Sequence, residues 1–257
     1  MSDSDNFDLR ALLASWPYDP DDDARVVRVA GGREVLQVRT PLGLEQYELD
    51  HRPDGLRPHG AESEFTFHLD RFRHSQAQVE PEPFALTPAD CAELISESTL
   101  YYYRYVRLFQ LQDWARALRD TARNLQVFDF VRRHAANAED RDYLEKWRPY
   151  LVRMNGVAKA LLHMEKNRHA AALAAVTRTI AAIEALQEMD DEVFDLERES
   201  SLEALRDLAR QIQRDRPVSP AERLERQLQA AVNAQEFERA AELRDRLRAL
   251  KSAPLTP

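Results

Sequence analysis

The side chains best suited to proton transfer or metal ligation are seven histidines, His51, His59, His68, His74, His134, His163 and His169. None stands at a recognised ligand spacing from another histidine or a carboxylate, and His163 and His169 are expected at a helix end and in a turn. Asp21-Asp22-Asp23 offers oxygen ligands without the pattern of a metal loop, so a solvated acidic turn is expected there. Cys91 is the only cysteine. That excludes an internal disulfide framework and any Cys-x-x-Cys zinc ribbon, and leaves a buried helical thiol as the expectation. Tyr101-Tyr102-Tyr103-Arg104-Tyr105 puts aromatics beside an arginine, a combination that can stack on single-stranded bases. At helical spacing, however, Tyr101, Tyr102 and Tyr105 share a face with Leu94 and Phe109, so packing in a core is expected instead. No Gly-x4-Gly-Lys-[Ser/Thr] phosphate loop is present. The expectation is a protein without catalytic residues, metal or cofactor. A deep polar pocket near His51, His59 and Asp70 is the feature that would point to an enzyme.

Composition narrows the classes further. The 257 residues carry 36 basic and 45 acidic side chains, a formal net charge of −9. With a pI near 5.4, direct binding to nucleic acid is not expected, because phosphate contacts need clustered Lys and Arg. No stretch approaches the roughly 20 consecutive apolar residues of a membrane span. The opening Met1-Ser2-Asp3-Ser4-Asp5 lacks the basic-then-apolar profile of a signal peptide, so a cytoplasmic location is expected.

Helix-breaking residues divide the chain. Five of its six glycines (Gly31, Gly32, Gly43, Gly55, Gly60) lie in the first 60 residues, whereas Ala89 to Arg216 holds only Pro149 and Gly156. The spacing predicts a small β-meander over 24–50, with strands near 25–29, 34–39 and 45–49 and a tight turn at Gly31-Gly32. Three strands cannot bury both faces, so the sheet should pack on 7–13 or on the helices. Residues 51–86 read as irregular structure around one more strand or short helix at the alternating Glu64-Phe65-Thr66-Phe67-His68-Leu69. Thr87-Pro88 then opens a series of antiparallel helices near 88–110, 113–135, 139–164, 167–187 and 190–214, with Pro149 kinking or splitting the third. The acidic series Asp190, Asp191, Glu192, Asp195, Glu197 and Glu199 reads as a solvated helix face. Asp113-Trp114-Ala115-Arg116-Ala117 and Asn167-Arg168-His169-Ala170-Ala171 repeat at an offset of 54 residues, each between two helices. This suggests pairing like that of tetratricopeptide repeats, at a longer period than their ~34 residues.

The strongest pattern lies at the C-terminus. Ser219-Pro220 supplies an N-cap and a first-turn proline. Leu224, Leu228, Ala231 and Val232 form one helical stripe. After a turn at Asn233-Ala234-Gln235, Phe237, Ala240, Ala241, Leu243, Leu247 and Leu250 form a second. The result is a two-helix hairpin in which Ala240 and Ala241 allow close approach while Phe237 plugs the turn end. Such a hairpin is too short to be self-supporting, so its stripe must be covered by a second hairpin, a partner, or the body of the protein. Nearly balanced charges around the seam suit partner choice and register better than phosphate binding.

Leu224-x3-Leu228-x2-Ala231-Val232-x4-Phe237-Glu238-Arg239-Ala240-Ala241-Glu242-Leu243-Arg244-Asp245-Arg246-Leu247 closely resembles the UVR motif, the UvrB/UvrC interaction motif of bacterial nucleotide-excision repair. The resemblance implies a bacterial protein whose hairpin pairs with another hairpin or with a partner protein. Related hairpins occur in adaptors of Clp-type proteases. The zinc-binding cysteine pairs of those adaptors and the nuclease pattern of UvrC are both missing here. Trp16-Pro17-Tyr18-Asp19-Pro20 followed by the run from Glu34 to Asp50 is similar to the N-terminal part of other bacterial proteins that end in a UVR motif, which implies architecture and no chemistry.

The reading is an α+β chain, mainly α: a β-rich N-terminal domain over 1–86, a helical domain over 87–216, and a UVR-like hairpin and tail over 217–257. Its expected role is that of a non-enzymatic adaptor. Leu224, Leu228, Phe237, Ala240, Ala241, Leu243 and Leu247 would form the seam or contact surface, and Glu238, Arg244 and Asp245 would orient the partner. That partner would be a UvrB/UvrC-like protein, a Clp-type ATPase or a second copy of the chain, with nucleotide-excision repair as the alternative setting.

Overall fold

The computed structural model describes residues 9–78, 83–217 and 220–252. The chain forms two compact units, Met1–Arg210 and Gln211–Pro257. Among the described residues it holds ten α-helices and one three-stranded antiparallel sheet.

In the first unit, the short helix α1 (Arg10–Ser15) precedes β1 (Ala24–Arg28), β2 (Glu34–Thr40) and β3 (Gly43–Glu48). The sheet order is β1-β2-β3, with Ala24 opposite Val38 and Leu36 opposite Tyr47. Gly31 and Gly32 turn the chain between β1 and β2 at φ of 82° and 81°, a conformation that favours glycine. One face of the sheet, with Leu36, Val38 and Tyr47, packs on Leu108, Ala117 and Ala158 of the helical layer. The other face carries polar residues of β2 that are nevertheless buried. There Arg39 donates to the Trp16 carbonyl at 2.8 Å, and Arg25 lies over the Trp16 ring at 3.9 Å. The sheet therefore rests on the helices. Of the expected alternative partner segment, residues 7 and 8 lie outside the described residues.

Residues 64–76 are helical throughout. α2 (Glu64–Gln76) begins where the Ser63 hydroxyl accepts the Thr66 N–H at 3.0 Å, and Glu97 accepts the Glu64 and Phe65 N–H groups at 2.7 and 3.2 Å. The strand-like alternation at 64–69 is overridden by these caps. Phe65, Leu69 and Phe72, at helical spacing, reach the core.

α3 (Pro88–Gln110) starts at the expected Thr87 cap, where Thr87 and Asp90 close a reciprocal capping box. α4 (Trp114–His134) follows, and Leu86 bridges back to the end of α4 through bonds with His134 and Ala136. The predicted third helix is split into α5 (Ala138–Glu145) and α6 (Arg148–Glu165), with Pro149 in the first turn of α6, where its missing N–H leaves no bond unmade. α7 (His169–Glu184) packs closely on α6, and α8 (Glu192–Asp215) begins in the first unit and ends in the second. The acidic series at 190–199 is only partly a solvated face, because Asp191 caps α8 by accepting the Val193 and Phe194 N–H groups.

Buried ion pairs tie these layers together. Arg104 is fully buried and grips Asp120 with two bonds of 2.7 and 2.8 Å. Its remaining amino group donates to the carbonyls of Glu48 and His51, fastening the end of β3 to α3 and α4. Asp23, expected in a solvated turn, is buried, where it accepts from Gln110 at 2.7 Å and pairs with Arg107 at 3.2 Å. Cys91 is buried as expected, and burial pushes its thiol up to about 11.

Three helix–helix turns share one geometry. Gln112, Asn167 and Gln235 each take positive φ, at 58°, 53° and 60°. The next residue in each case (Asp113, Arg168, Glu236) donates its N–H to a carbonyl five residues back, closing a Schellman-type turn. The equivalent positions are thus Gln112 and Asn167, one residue away from the alignment that the sequence suggests.

Candidate protein-interaction hairpin

The second unit contains α9 (Pro220–Asn233) and α10 (Phe237–Ser252), antiparallel across the turn at Gln235. Pro220 opens α9 as predicted, while its expected cap, Ser219, lies outside the described residues. α9 is strongly amphipathic, and its apolar stripe meets apolar residues of α10 in one seam. Ala231, Ala240 and Leu243 are buried there, with Leu224 and Leu228 packed against them. Alanine at 231 and 240 leaves room for close approach of the two backbones. Ala241 and Leu247 are half-buried.

Phe237 does not plug the turn. It is 70% exposed at the start of α10, close in sequence to Val232, which is 45% exposed at the end of α9. The seam is closed by alanines and leucines, and the large ring stands outside it. Leu250 is also exposed, at 42%. Around this surface Glu238 is exposed, Arg239 pairs with Glu236 at 3.0 Å, and Arg244 pairs with its neighbour Asp245 at 3.1 Å. These charges are solvated, and such pairs contribute little to stability. The ten residues expected to bind a partner therefore separate into a seam that holds the hairpin together and an outward set led by Phe237.

Residues 220–253 match the family model of the UvrB/uvrC motif. The UVR match covers the hairpin alone. No curated protein and no solved structure matches the chain. The hairpin that the residue pattern predicts, the geometry of α9 and α10 and the matched span coincide.

Elsewhere in the first unit the aromatic cluster of α3 takes two roles. Tyr101 and Tyr105 are buried as expected, but Tyr102 is 40% exposed. It lines a cavity of about 350 Å³ with Tyr105, Tyr143, Trp147, Tyr150 and Glu197. Arg104, the cation of that aromatic run, is committed to Asp120. The sequence carries a signal for this cavity in the spacing of Tyr143, Trp147 and Tyr150, which sits across the split between α5 and α6. No helix among the described residues is long and apolar enough to cross a membrane.

Proposed function

We propose that this chain is a non-enzymatic adaptor that grips another polypeptide through its UVR hairpin. The supporting observation is the placement of Phe237: a large apolar ring held outside a seam that alanine and leucine already close. An exposed aromatic at the end of a rigid hairpin is the kind of anchor that dominates protein interfaces, because its burial on binding removes a large apolar area from water at little entropic cost. The mixed charges of Glu238, Arg244 and Asp245 would set orientation and exclude wrong partners. The partner would be a UvrB/UvrC-like protein, a Clp-type ATPase or a second copy of the chain, in a bacterial cytoplasm.

A second reading places the chain in nucleotide-excision repair, reaching DNA only through UvrB- or UvrC-like proteins. The match of residues 220–253 to the UvrB/uvrC motif favours it, and the net charge of −9 argues for indirect rather than direct contact with DNA. Affinity capture with the full chain beside a truncation ending at Pro217 and a Phe237→Ala variant separates these readings. Repair proteins retained by the full chain and lost from both variants support the repair role, and Clp ATPases support the proteolytic one. A concentration-dependent dimer lost in the variants supports self-association. An identical set of associates for all three proteins overturns the adaptor reading.

A further inference from the structure

We propose that His68, Asp90 and Glu93, with His59 and Glu64 beside them, form a binding site for a divalent transition-metal ion of the zinc type. The five residues come from a turn at Pro58–Gly60, from the first turns of α2, and from the first turns of α3. Their ligand atoms form two overlapping groups that share Glu93, His59–Glu64–Glu93 and His68–Asp90–Glu93, each within 4.8 Å.

Orphaned polar atoms carry the inference. Among the described residues, three buried side-chain polar atoms lack a hydrogen-bond partner, and two of them are Glu64 Oε2 and His68 Nε2. Buried polar groups are nearly always satisfied, so two unsatisfied atoms in one cluster need an explanation. His68 is fully buried. Its Nε2 stands 4.0 Å from both Asp90 Oδ1 and Glu93 Oε2, while His59 Nε2 stands 3.4 Å from Glu64 Oε2. A gap of 4.0 Å is too long for a hydrogen bond. Two ligands at about 2.0–2.2 Å from one ion stand roughly 3.3 Å apart at a tetrahedral angle and roughly 4.3 Å apart when opposed, which brackets these separations. Helix capping does not account for the arrangement: Asp90 caps Thr87 through Oδ2 at 2.9 Å, which leaves Oδ1 facing His68.

The donor set selects the ion. Two imidazoles among three carboxylates suit zinc and its neighbours, whereas calcium and magnesium take oxygen ligands. Burial holds the His68 imidazole below its usual range, so at neutral pH it offers a neutral ring. Arg71 competes with the ion. Its Nη1 donates to His68 Nδ1 at 2.9 Å, which keeps the ring proton on Nε2. On ligation that proton is exchanged for one on Nδ1, with no net release from the ring, and Arg71 turns aside. Its guanidinium already lies 3.4 Å from Asp90 Oδ1 and over the rings of Phe67 and Phe84.

The test uses the full chain, stripped of metal, titrated with Zn²⁺ by calorimetry and with Co²⁺ by visible absorption, and melted with and without each ion. The expected result is one tight site, Co²⁺ bands with nitrogen and oxygen ligands, and a melting temperature that rises with metal and falls on chelation. Glu93→Gln, at a half-exposed side chain, should weaken binding at least tenfold. His68→Gln should weaken it more, and Arg71→Ala should tighten it. The exposed His74→Gln should leave it unchanged. Absence of binding at tenfold excess of either ion overturns the proposal, as does binding that survives Glu93→Gln and His68→Gln together.

Discussion

Gly156→Ala adds one methyl group where α6 meets α7, and the structure sets its cost. A Cβ at Gly156 would lie 2.1 Å from Thr179 Oγ1, 2.4 Å from its Cγ2 and 2.7 Å from its Cβ. Favourable contacts between such atoms fall at about 3.5–4.0 Å. Rotating Thr179 does not clear the overlap, because its Cβ is fixed by the backbone and its hydroxyl is committed to the Ala175 carbonyl at 2.8 Å. The helices must therefore part. Overpacking that moves backbone costs about 1–3 kcal/mol, and here the upper end applies. Replacing a helical glycine with alanine returns about 1 kcal/mol of helix propensity. The net expectation is a loss of about 2 kcal/mol, or roughly 4–8 °C in melting temperature for a unit of this size. Urea and thermal melts followed by circular dichroism read it directly. A companion Thr179→Gly removes the obstructing atoms, so the double variant should be more stable than the sum of the single changes predicts, by about 1–2 kcal/mol of coupling. If Gly156→Ala instead raises stability by the propensity gain alone, α6 and α7 are not in close contact at this point, and the reasoning fails.

Four further outcomes follow from the same structure. Phe237→Ala should leave helicity and melting unchanged while reducing capture of the hairpin's partner. About 130 Å² of exposed ring at ~25 cal/mol per Å² is worth roughly 3 kcal/mol, near a hundredfold in affinity. Leu243→Ala, inside the seam, should cost about 2–5 kcal/mol and unfold the hairpin, visible as lost helical signal. Asp120→Ala strands the buried Arg104 charge and should destabilise the first unit by about 3–5 kcal/mol in urea melts. In metal-free buffer, stability should decline on acidification: burial holds His68 and His134 below the usual value of about 6.5, so the unfolded chain takes up more protons as pH falls. That contribution is fully present above about pH 6.5 and is lost as pH drops through the folded values. His134→Gln should flatten the profile, and an unchanged profile would remove His134 from the account.

The UVR hairpin was legible because its signals are local. Leucine and alanine at helical spacing, a first-turn proline and a turn at Gln235 all act within one or two turns of helix. The same holds for the Thr87–Asp90 cap, the three strands and the division at Pro149. At 64–69 the sequence left strand or short helix open, because the alternation of Phe65, Phe67 and Leu69 competes with helical spacing, and the helix is settled by the Ser63 cap and by Glu97, a carboxylate from another helix. The expectation for Phe237 failed: its place in the stripe was correct, yet whether a stripe residue is enclosed depends on how closely the facing helix approaches, which Ala231 and Ala240 set.

By itself, then, the sequence determined most of the elements, their order and the presence of the C-terminal hairpin, since caps, periodicity and turns depend on neighbours along the chain. Tertiary structure alone decided that Arg104 would be spent on Asp120, that Asp23 would be buried beside Gln110, and that His68 would face Asp90 and Glu93. These groupings join residues from separate elements. Their geometry is fixed by how α2, α3, α4 and the sheet pack, and no spacing within a single element encodes it.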